Sequence, residues 1–310
     1  MSGMRAISQH ELGGPEVLQL VEIDRPTPGI GQILVRVQAA GVNPVDAMNR
    51  RSGVLVGAAP FVLGWDVSGT VEAVGTGVTL YQPGDDVFGL LPFPQGHGAY
   101  AEYVVAPTRV FVRKPVNLNH IQAAALPLAG LTAWQALVDT AGIGESSRVL
   151  ITAAAGGVGH LAVQIAKAYG AYVIGLVAPD KVEIVAGLGA DEVIDYTTTD
   201  FTAFISDVDV VFDLIGHDYP AKALQVLKPG GLLVSTQPQS LTAVTADAVA
   251  RGIRPAELLV EADRLGMTAL AELAGRGALV PTIGATFPLE QAGQAQSHRA
   301  ATGKVVLTLA

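Results

Sequence analysis

Val149-Leu150-Ile151-Thr152, running into Ala154-Ala155-Gly156-Gly157-Val158-Gly159, is the stretch that decides the fold. Its first four residues read as a short buried strand, the glycines as a turn, and the residues to about Tyr169 as a helix. In such a strand–turn–helix, one glycine lets the backbone approach a pyrophosphate and another lets helix and strand pack closely. The helix N-terminus then offers free N–H groups to the anion. Ala154 replaces the first glycine of the usual G-x-G-x-x-G, so the placement at the head of an α/β region carries the reading. A tight turn without a ligand, and an adenosyl methyl donor on a similar sheet, are the alternatives.

Downstream the alternation continues. Strands are expected at Tyr172 to Val177, Glu192-Val193-Ile194-Asp195, Val208 to Ile215 and Leu232-Leu233-Val234. Helices are expected at Lys181 to Leu188 and Ala221 to Leu227, with Lys228-Pro229-Gly230-Gly231 as a turn. This βαβα order predicts an α/β fold, a doubly wound parallel sheet covered on both faces. Upstream, the first 115 or so residues are β-rich and barrel-like. Ile33 to Gln38, Gly69 to Val74 and Ala99 to Val105 alternate apolar and polar residues, separated by turns such as Pro26-Thr27-Pro28-Gly29 and Gln82-Pro83-Gly84-Asp85. Lys304 to Leu309 alternates again and could pair back with this region. Gln237 to Gly252 gives only a vague helix.

Dinucleotide folds that prefer NADH place an acid at the end of the second strand, for the ribose hydroxyls. Val177 holds that position here, with a cation following at Lys181. A missing carboxylate removes repulsion toward a 2′-phosphate, so NADPH is favoured over NADH, while Asp180 keeps NADH open.

Composition excludes several classes. The 310 residues contain no cysteine, which rules out disulfides, thiol nucleophiles, iron–sulfur clusters and thiolate zinc sites. A net charge of −9 with scattered Lys and Arg argues against nucleic acid and anionic membrane as partners. Mean hydropathy is high at +0.41. The uncharged runs Val149 to Ala166 and Pro115 to Val138 are nevertheless interrupted by glycines or by polar residues and Pro127, so no membrane span is expected. The start, Met1-Ser2-Gly3-Met4-Arg5, has no apolar signal core behind it, and a cytoplasmic location is expected.

Read together, these residues resemble the medium-chain dehydrogenase/reductase superfamily, in its zinc-free quinone oxidoreductase branch. The resemblance spans nearly the whole chain. It rests on Ala39–Asp46, Gly64–Gly69, Pro83–Gly89, Gly98–Tyr103, Gly130–Trp134, Leu188–Asp191, Leu227–Gly231 and Gly303–Leu307. It implies a GroES-like substrate domain over 1–118, a Rossmann dinucleotide-binding domain over 119–280, and a return to the first domain over 281–310. It also implies a cleft between the domains and a homodimer or homotetramer. In zinc-dependent relatives a cysteine ligand stands at Asn43, a histidine ligand at Trp65 and a proton-relay hydroxyl at Val45. Alcohol oxidation needs a Lewis acid for the developing alkoxide. Quinones and conjugated enones are already electrophilic and need mainly an aligned hydride.

By the same resemblance, Asn43 would line the cleft beside the nicotinamide, with Asp46 as the second candidate catalytic residue, either a general acid or the residue orienting the Asn43 loop. Thr132 would meet the cofactor phosphate or nicotinamide ribose. Ala155, Gly156, Gly157 and Val158 would hold the pyrophosphate, Lys181 and Tyr196 would reach the 2′-phosphate, and Ile215 with Gly216 would line the adenine–ribose side. Met48 stands where many relatives have a cleft tyrosine, and Ala178 where many have a serine. The six histidines show no metal-ligand spacing and are expected on the surface or in loops. Spacing assembles no Ser-His-Asp group, and Asp66 is expected to cap or salt-bridge within the barrel, with a general acid as the alternative. The expected activity is NADPH-dependent reduction of quinones or α,β-unsaturated carbonyl compounds. An NADPH-binding redox sensor or structural protein, and an enoyl-thioester reductase, are the other readings.

Overall fold

The computed structural model describes residues 3–309. The chain forms two compact units. The first comprises residues 1–131, 261–277 and 281–310, and the second comprises residues 132–260 and 278–280.

In the first unit, β1 (Gly3–Gln9) pairs antiparallel with β2 (Gln19–Asp24) and β4 (Phe61–Val62). The larger sheet is built on β3 (Gln32–Val42), which pairs with both β5 (Asp66–Val74) and β7 (Tyr103–Pro107). Beyond β5 lie β6 (Asp86–Leu90) and β8 (Phe111–Arg113). Helix α1 (Pro44–Ser52) follows β3 directly, α2 (His120–Ala124) packs on β3 and β5, and α3 (Pro127–Trp134) carries the division between units, after Leu131. The packing boundary thus falls later than the composition change near Pro115. The small residues Ala124 and Ala125 bring α2 onto Ala39, so α2 belongs to the first core.

The second unit holds β9 (Arg148–Ile151), α4 (Gly159–Ala168), β10 (Tyr172–Val177), α5 (Val182–Gly187), β11 (Glu192–Asp195), β12 (Val208–Asp213), α6 (Tyr219–Val226) and β13 (Leu227–Ser235). Two short helices, α7 (Pro238–Thr242) and α8 (Thr245–Ala250), occupy the segment expected as one vague helix, and β14 (Arg254–Glu257) follows. Strand order is β11-β10-β9-β12-β13-β14, all parallel. The order reverses between β9 and β12, and ligands of such sheets bind beyond the carboxyl ends of the strands at that point. Central strand β9 is apolar throughout Val149-Leu150-Ile151 because both its faces are covered. Edge strand β14 tolerates Pro255, which has no N–H to give. Lys228–Gly231 is an excursion within β13: Leu227 faces Val208, and the register resumes with Leu232 opposite Val210.

The chain returns to the first unit through α9 (Arg264–Gly275), packed on β8, then β15 (Ile283–Pro288), α10 (Ala292–Ser297) and β16 (Lys304–Thr308). Strand β16 pairs antiparallel with residues 39–42 of β3, the pairing its alternation suggested. The strand expected at Ala99 to Val105 begins only at Tyr103. Before it, the backbone is shared among several partners: Ile7 of β1 donates to the Tyr100 carbonyl at 2.8 Å and Glu102 to that of Arg5 at 3.0 Å, while Tyr100 donates to the Leu63 carbonyl at 3.0 Å and Val37 of β3 to that of Glu102 at 2.9 Å.

Candidate functional site

The glycine turn of the second unit opens with strain. Ala153 takes φ 48°, a left-handed conformation uncommon for a residue with a Cβ. Its carbonyl accepts from Gly156 N–H at 2.8 Å. A Cβ on Gly159 would lie 2.1 Å from that carbonyl oxygen, so only glycine lets α4 start against the end of β9. Among the described residues, none of the backbone hydrogen bonds outside helices and strands begins at the N–H of Gly157 or Val158. Both precede the ten-residue α4, whose amino end carries positive dipole. His160 sits fully buried in the first turn of α4, with Nδ1 2.8 Å from the Gly156 carbonyl oxygen. This corrects the expectation that every histidine lies on the surface or in a loop. Its position four residues after Gly156 was the signal for a ring that braces the turn.

Across the reversal point, buried Asp213 ends β12. Its carboxylate accepts from the N–H groups of Ile215 and Gly216, each at 3.1 Å, and from Ser235 Oγ at 2.7 Å. Leu214 donates to Thr152 Oγ1 at 2.8 Å, which ties this loop to the end of β9. His217 is again left-handed, at φ 55°, and its N–H donates to Ser240 Oγ at 2.8 Å. Strained backbone therefore stands after both strands that flank the reversal, a pattern associated with ligand sites. Sequence reading named Ile215 and Gly216 but not Asp213, which holds them; an acid closing an apolar strand was the available signal.

Val177 ends β10 opposite Asp195 at the end of β11, and Tyr196 donates its N–H to the Val177 carbonyl at 3.2 Å. Tyr196 is 46% exposed. Lys181 follows β10 in a short 3-10 turn and bonds Asp180 through Nζ. That cation holds the Asp180 carboxyl below the usual carboxylate range. The Asp195 carboxylate is occupied by the Thr197 N–H at 2.8 Å and by the hydroxyls of Thr197 and Thr198. Lys181 and Tyr196 thus follow the carboxyl ends of neighbouring strands. Thr132, buried in α3, is the first residue of the second unit.

The first unit contains a buried polar cluster at the start of α1. Asn43 is the N-cap, and its N–H donates to Asp46 Oδ2 at 2.7 Å. The same oxygen accepts from Tyr100 OH at 2.8 Å. Full burial pushes the Asp46 carboxyl up to about 7, against the pull of those two donors. The Asn43 amide donates through Nδ2 to Asp66 Oδ2 at 2.9 Å and accepts from Lys304 Nζ through Oδ1. Asp66 also receives the Leu128 N–H at 2.7 Å and stands 3.6 Å from Lys304 Nζ. Burial raises the Asp66 carboxyl and lowers the Lys304 ammonium. Asn43 and Asp46 are brought together, as α1 requires of its capping box. Tyr100 and Lys304 were not singled out from sequence. Met48 is 36% exposed.

The fold also assembles a group that spacing did not reveal. Ser68 Oγ lies 2.8 Å from His120 Nδ1, and His120 Nε2 lies 3.4 Å from Asp86 Oδ1. Ser68 is fully buried, however, and burial lowers the His120 pKa. The trio runs from the buried Ser68 to the exposed Asp86, and its hydroxyl end has no access for a substrate. Trp65 donates its indole N–H to the Pro94 carbonyl at 3.2 Å, inside an edge-on aromatic contact with Phe93. Among the described residues, no cluster of three or more His, Asp or Glu side chains could hold a metal ion, and no helix is long and apolar enough to cross a membrane.

Comparison with known proteins agrees with this architecture. Residues 29–116 match the family described as "Alcohol dehydrogenase GroES-like domain". Residues 188–307 match the one described as "Zinc-binding dehydrogenase". The 2-haloacrylate reductase of a Burkholderia species is 34% identical, covering 96% of this chain and 97% of that protein. The structure of the quinone oxidoreductase from Coxiella burnetii superposes with a TM-score of 0.92 at 35% identity, covering 100% of both chains. The Escherichia coli quinone oxidoreductase complexed with NADPH gives a TM-score of 0.87 at 29% identity, covering 98% of this chain and 100% of that one. The chain therefore belongs to the medium-chain dehydrogenase/reductase superfamily, in its quinone oxidoreductase branch.

Proposed function

We propose that this protein is an NADPH-dependent, zinc-independent reductase of quinones or α,β-unsaturated carbonyl compounds, acting in the cytoplasm. The observation that carries the reading is the glycine turn at the reversal point of the parallel sheet, with Gly157 and Val158 giving no backbone hydrogen bond outside helices and strands. The similarity to a quinone oxidoreductase complexed with NADPH supports it. Ala155, Gly156, Gly157 and Val158 would hold the pyrophosphate, Lys181 and Tyr196 the 2′-phosphate, and Ile215 and Gly216 the adenine–ribose side. Thr132 would meet the phosphate or the nicotinamide ribose. NADPH is favoured over NADH because Val177 brings no carboxylate to the end of β10.

Zinc does not fit the residues present. Both atoms of the Asn43 amide are engaged with Lys304 and Asp66, and the Trp65 indole offers only a donor, already used. The bound nicotinamide supplies the hydride. Asn43 would orient the carbonyl compound or the nicotinamide amide, and Asp46 holds the Asn43 backbone in place. Tyr100 is engaged with Asp46, so solvent is the proton source in this reading. Catalysis then rests mainly on alignment of the hydride with the acceptor.

Product analysis tests this. With NADPH and a para-quinone or a cyclic enone, the products should be the hydroquinone or the saturated ketone, one per NADPH oxidised. An allylic alcohol from the enone would contradict conjugate reduction.

A further inference from the structure

Lys304 is 3% exposed, and its ammonium has two hydrogen-bond acceptors and one ion-pair partner. These are the Val42 carbonyl at 3.0 Å, Asn43 Oδ1, and Asp66 Oδ2 at 3.6 Å. Asp66 in turn receives Asn43 Nδ2 and the Leu128 N–H. A Cβ on Gly41 would lie 2.5 Å from Asp66 Oδ2, so β3 passes beside this carboxylate only with a glycine there. An ammonium can only donate and an ionised carboxylate can only accept. Turning the Asn43 amide over would set N–H against the ammonium and the carbonyl oxygen against the carboxylate. Two charge-assisted hydrogen bonds would be lost, which disfavours the turned form by on the order of a hundredfold or more.

We propose that Lys304 is a positioning residue: with Asp66 it fixes the direction of the Asn43 amide, leaving the second Nδ2 hydrogen as the donor offered to a carbonyl acceptor. This rests on the reading of Asn43 as a group that meets the cofactor or substrate. Neither Lys304 nor Asp66 touches the reacting compounds in this account. Their effect reaches the chemistry through the amide alone.

The chain contains four asparagines, so selective 15N-asparagine labelling gives four side-chain amide pairs, and Asn43→Ala identifies the one of interest. In Lys304→Met the Asn43 pair should shift toward the positions of the solvent-exposed amides, and its hydrogen exchange should quicken by about tenfold or more. With NADPH and a para-quinone, kcat should fall by about tenfold or more while the Kd for NADPH changes less than about threefold. If Lys304→Met does not fold, the charge-neutral double variant Lys304→Met with Asp66→Asn serves in its place, with the same outcomes expected. An Asn43 pair unmoved in position and exchange would overturn the proposal. So would a kcat equal to wild type despite a moved pair. Because the amide signals need no substrate, absence of turnover in the wild type would refute the proposed activity and leave the spectroscopic test standing.

Discussion

Two glycines three positions apart in the turn after β9 should fail in different ways when each is replaced by alanine. A Cβ on Gly159 would sit 2.1 Å from the Ala153 carbonyl oxygen and 2.8 Å from the Ala154 Cα. Ordinary contact there needs about 3.4 Å or more, and Ala153 is already held at φ 48°. Gly159→Ala should therefore cost about 1–3 kcal/mol as overpacking, partly offset by up to about 1 kcal/mol of helix propensity. A Cβ on Gly156 meets only the Ala153 oxygen at 3.1 Å, with the Ala153 Cβ 3.9 Å away. Gly156→Ala should keep stability within about 1 kcal/mol. Its methyl would instead occupy the space through which a pyrophosphate approaches the backbone. Losing one charge-assisted hydrogen bond, about 1.5–3 kcal/mol, corresponds to about a 10- to 150-fold rise in the Kd for NADPH. Urea unfolding without cofactor reads the first effect, and fluorescence titration with NADPH reads the second. Wild-type affinity in Gly156→Ala would refute the assignment of this turn to the cofactor. Unchanged stability in Gly159→Ala would refute the packing argument.

Asn43→Ala should lower kcat by on the order of a hundredfold while changing the NADPH Kd far less, as steady-state rates and titration will show. Lys181→Ala should raise the Kd for NADPH by about tenfold and leave that for NADH nearly unchanged, provided Lys181 meets the 2′-phosphate. The Asp46 carboxyl, raised to about 7 in the fold, binds its proton more tightly there than in the unfolded chain. Its contribution to stability is thus fully present below about pH 4 and is lost as pH rises through 7, on the order of 4 kcal/mol at most. Asp46→Asn keeps the acceptor for Asn43 N–H and Tyr100 OH; urea unfolding at pH 5 and pH 8 should show a smaller difference in this variant than in wild type. An equal difference in both would show that Asp46 does not titrate in that window.

Much of the second unit was legible because its signals are local. Tyr172 to Val177 and Glu192 to Asp195 form strands at the bounds their apolar runs suggested, and glycine placement marked the turn. The helix to about Tyr169 starts only at Gly159, since the intervening turn takes up Thr152 to Val158. The first unit was harder. Ala99 to Glu102 alternates like a strand, yet its hydrogen bonds are divided among β1, residues 63 and 64, and Val37 of β3, and nothing in the local pattern announces that division. Lys304 read only as the first residue of an alternating strand, whereas it meets Asn43 across 261 positions of chain. The Ser68, Asp86 and His120 chain likewise depends on β5, β6 and α2 converging, which spacing does not encode. Elements set by local backbone geometry were legible, and contacts between distant charge partners were not.

NADPH oxidation followed spectrophotometrically with a para-quinone, beside NADH and with and without a chelator, decides whether this protein is a zinc-independent NADPH reductase. Oxidation should be insensitive to the chelator and faster with NADPH than with NADH. Tight NADPH binding with no oxidation across quinones, enones and enoyl thioesters would contradict the reductase reading and favour a cofactor-binding sensor.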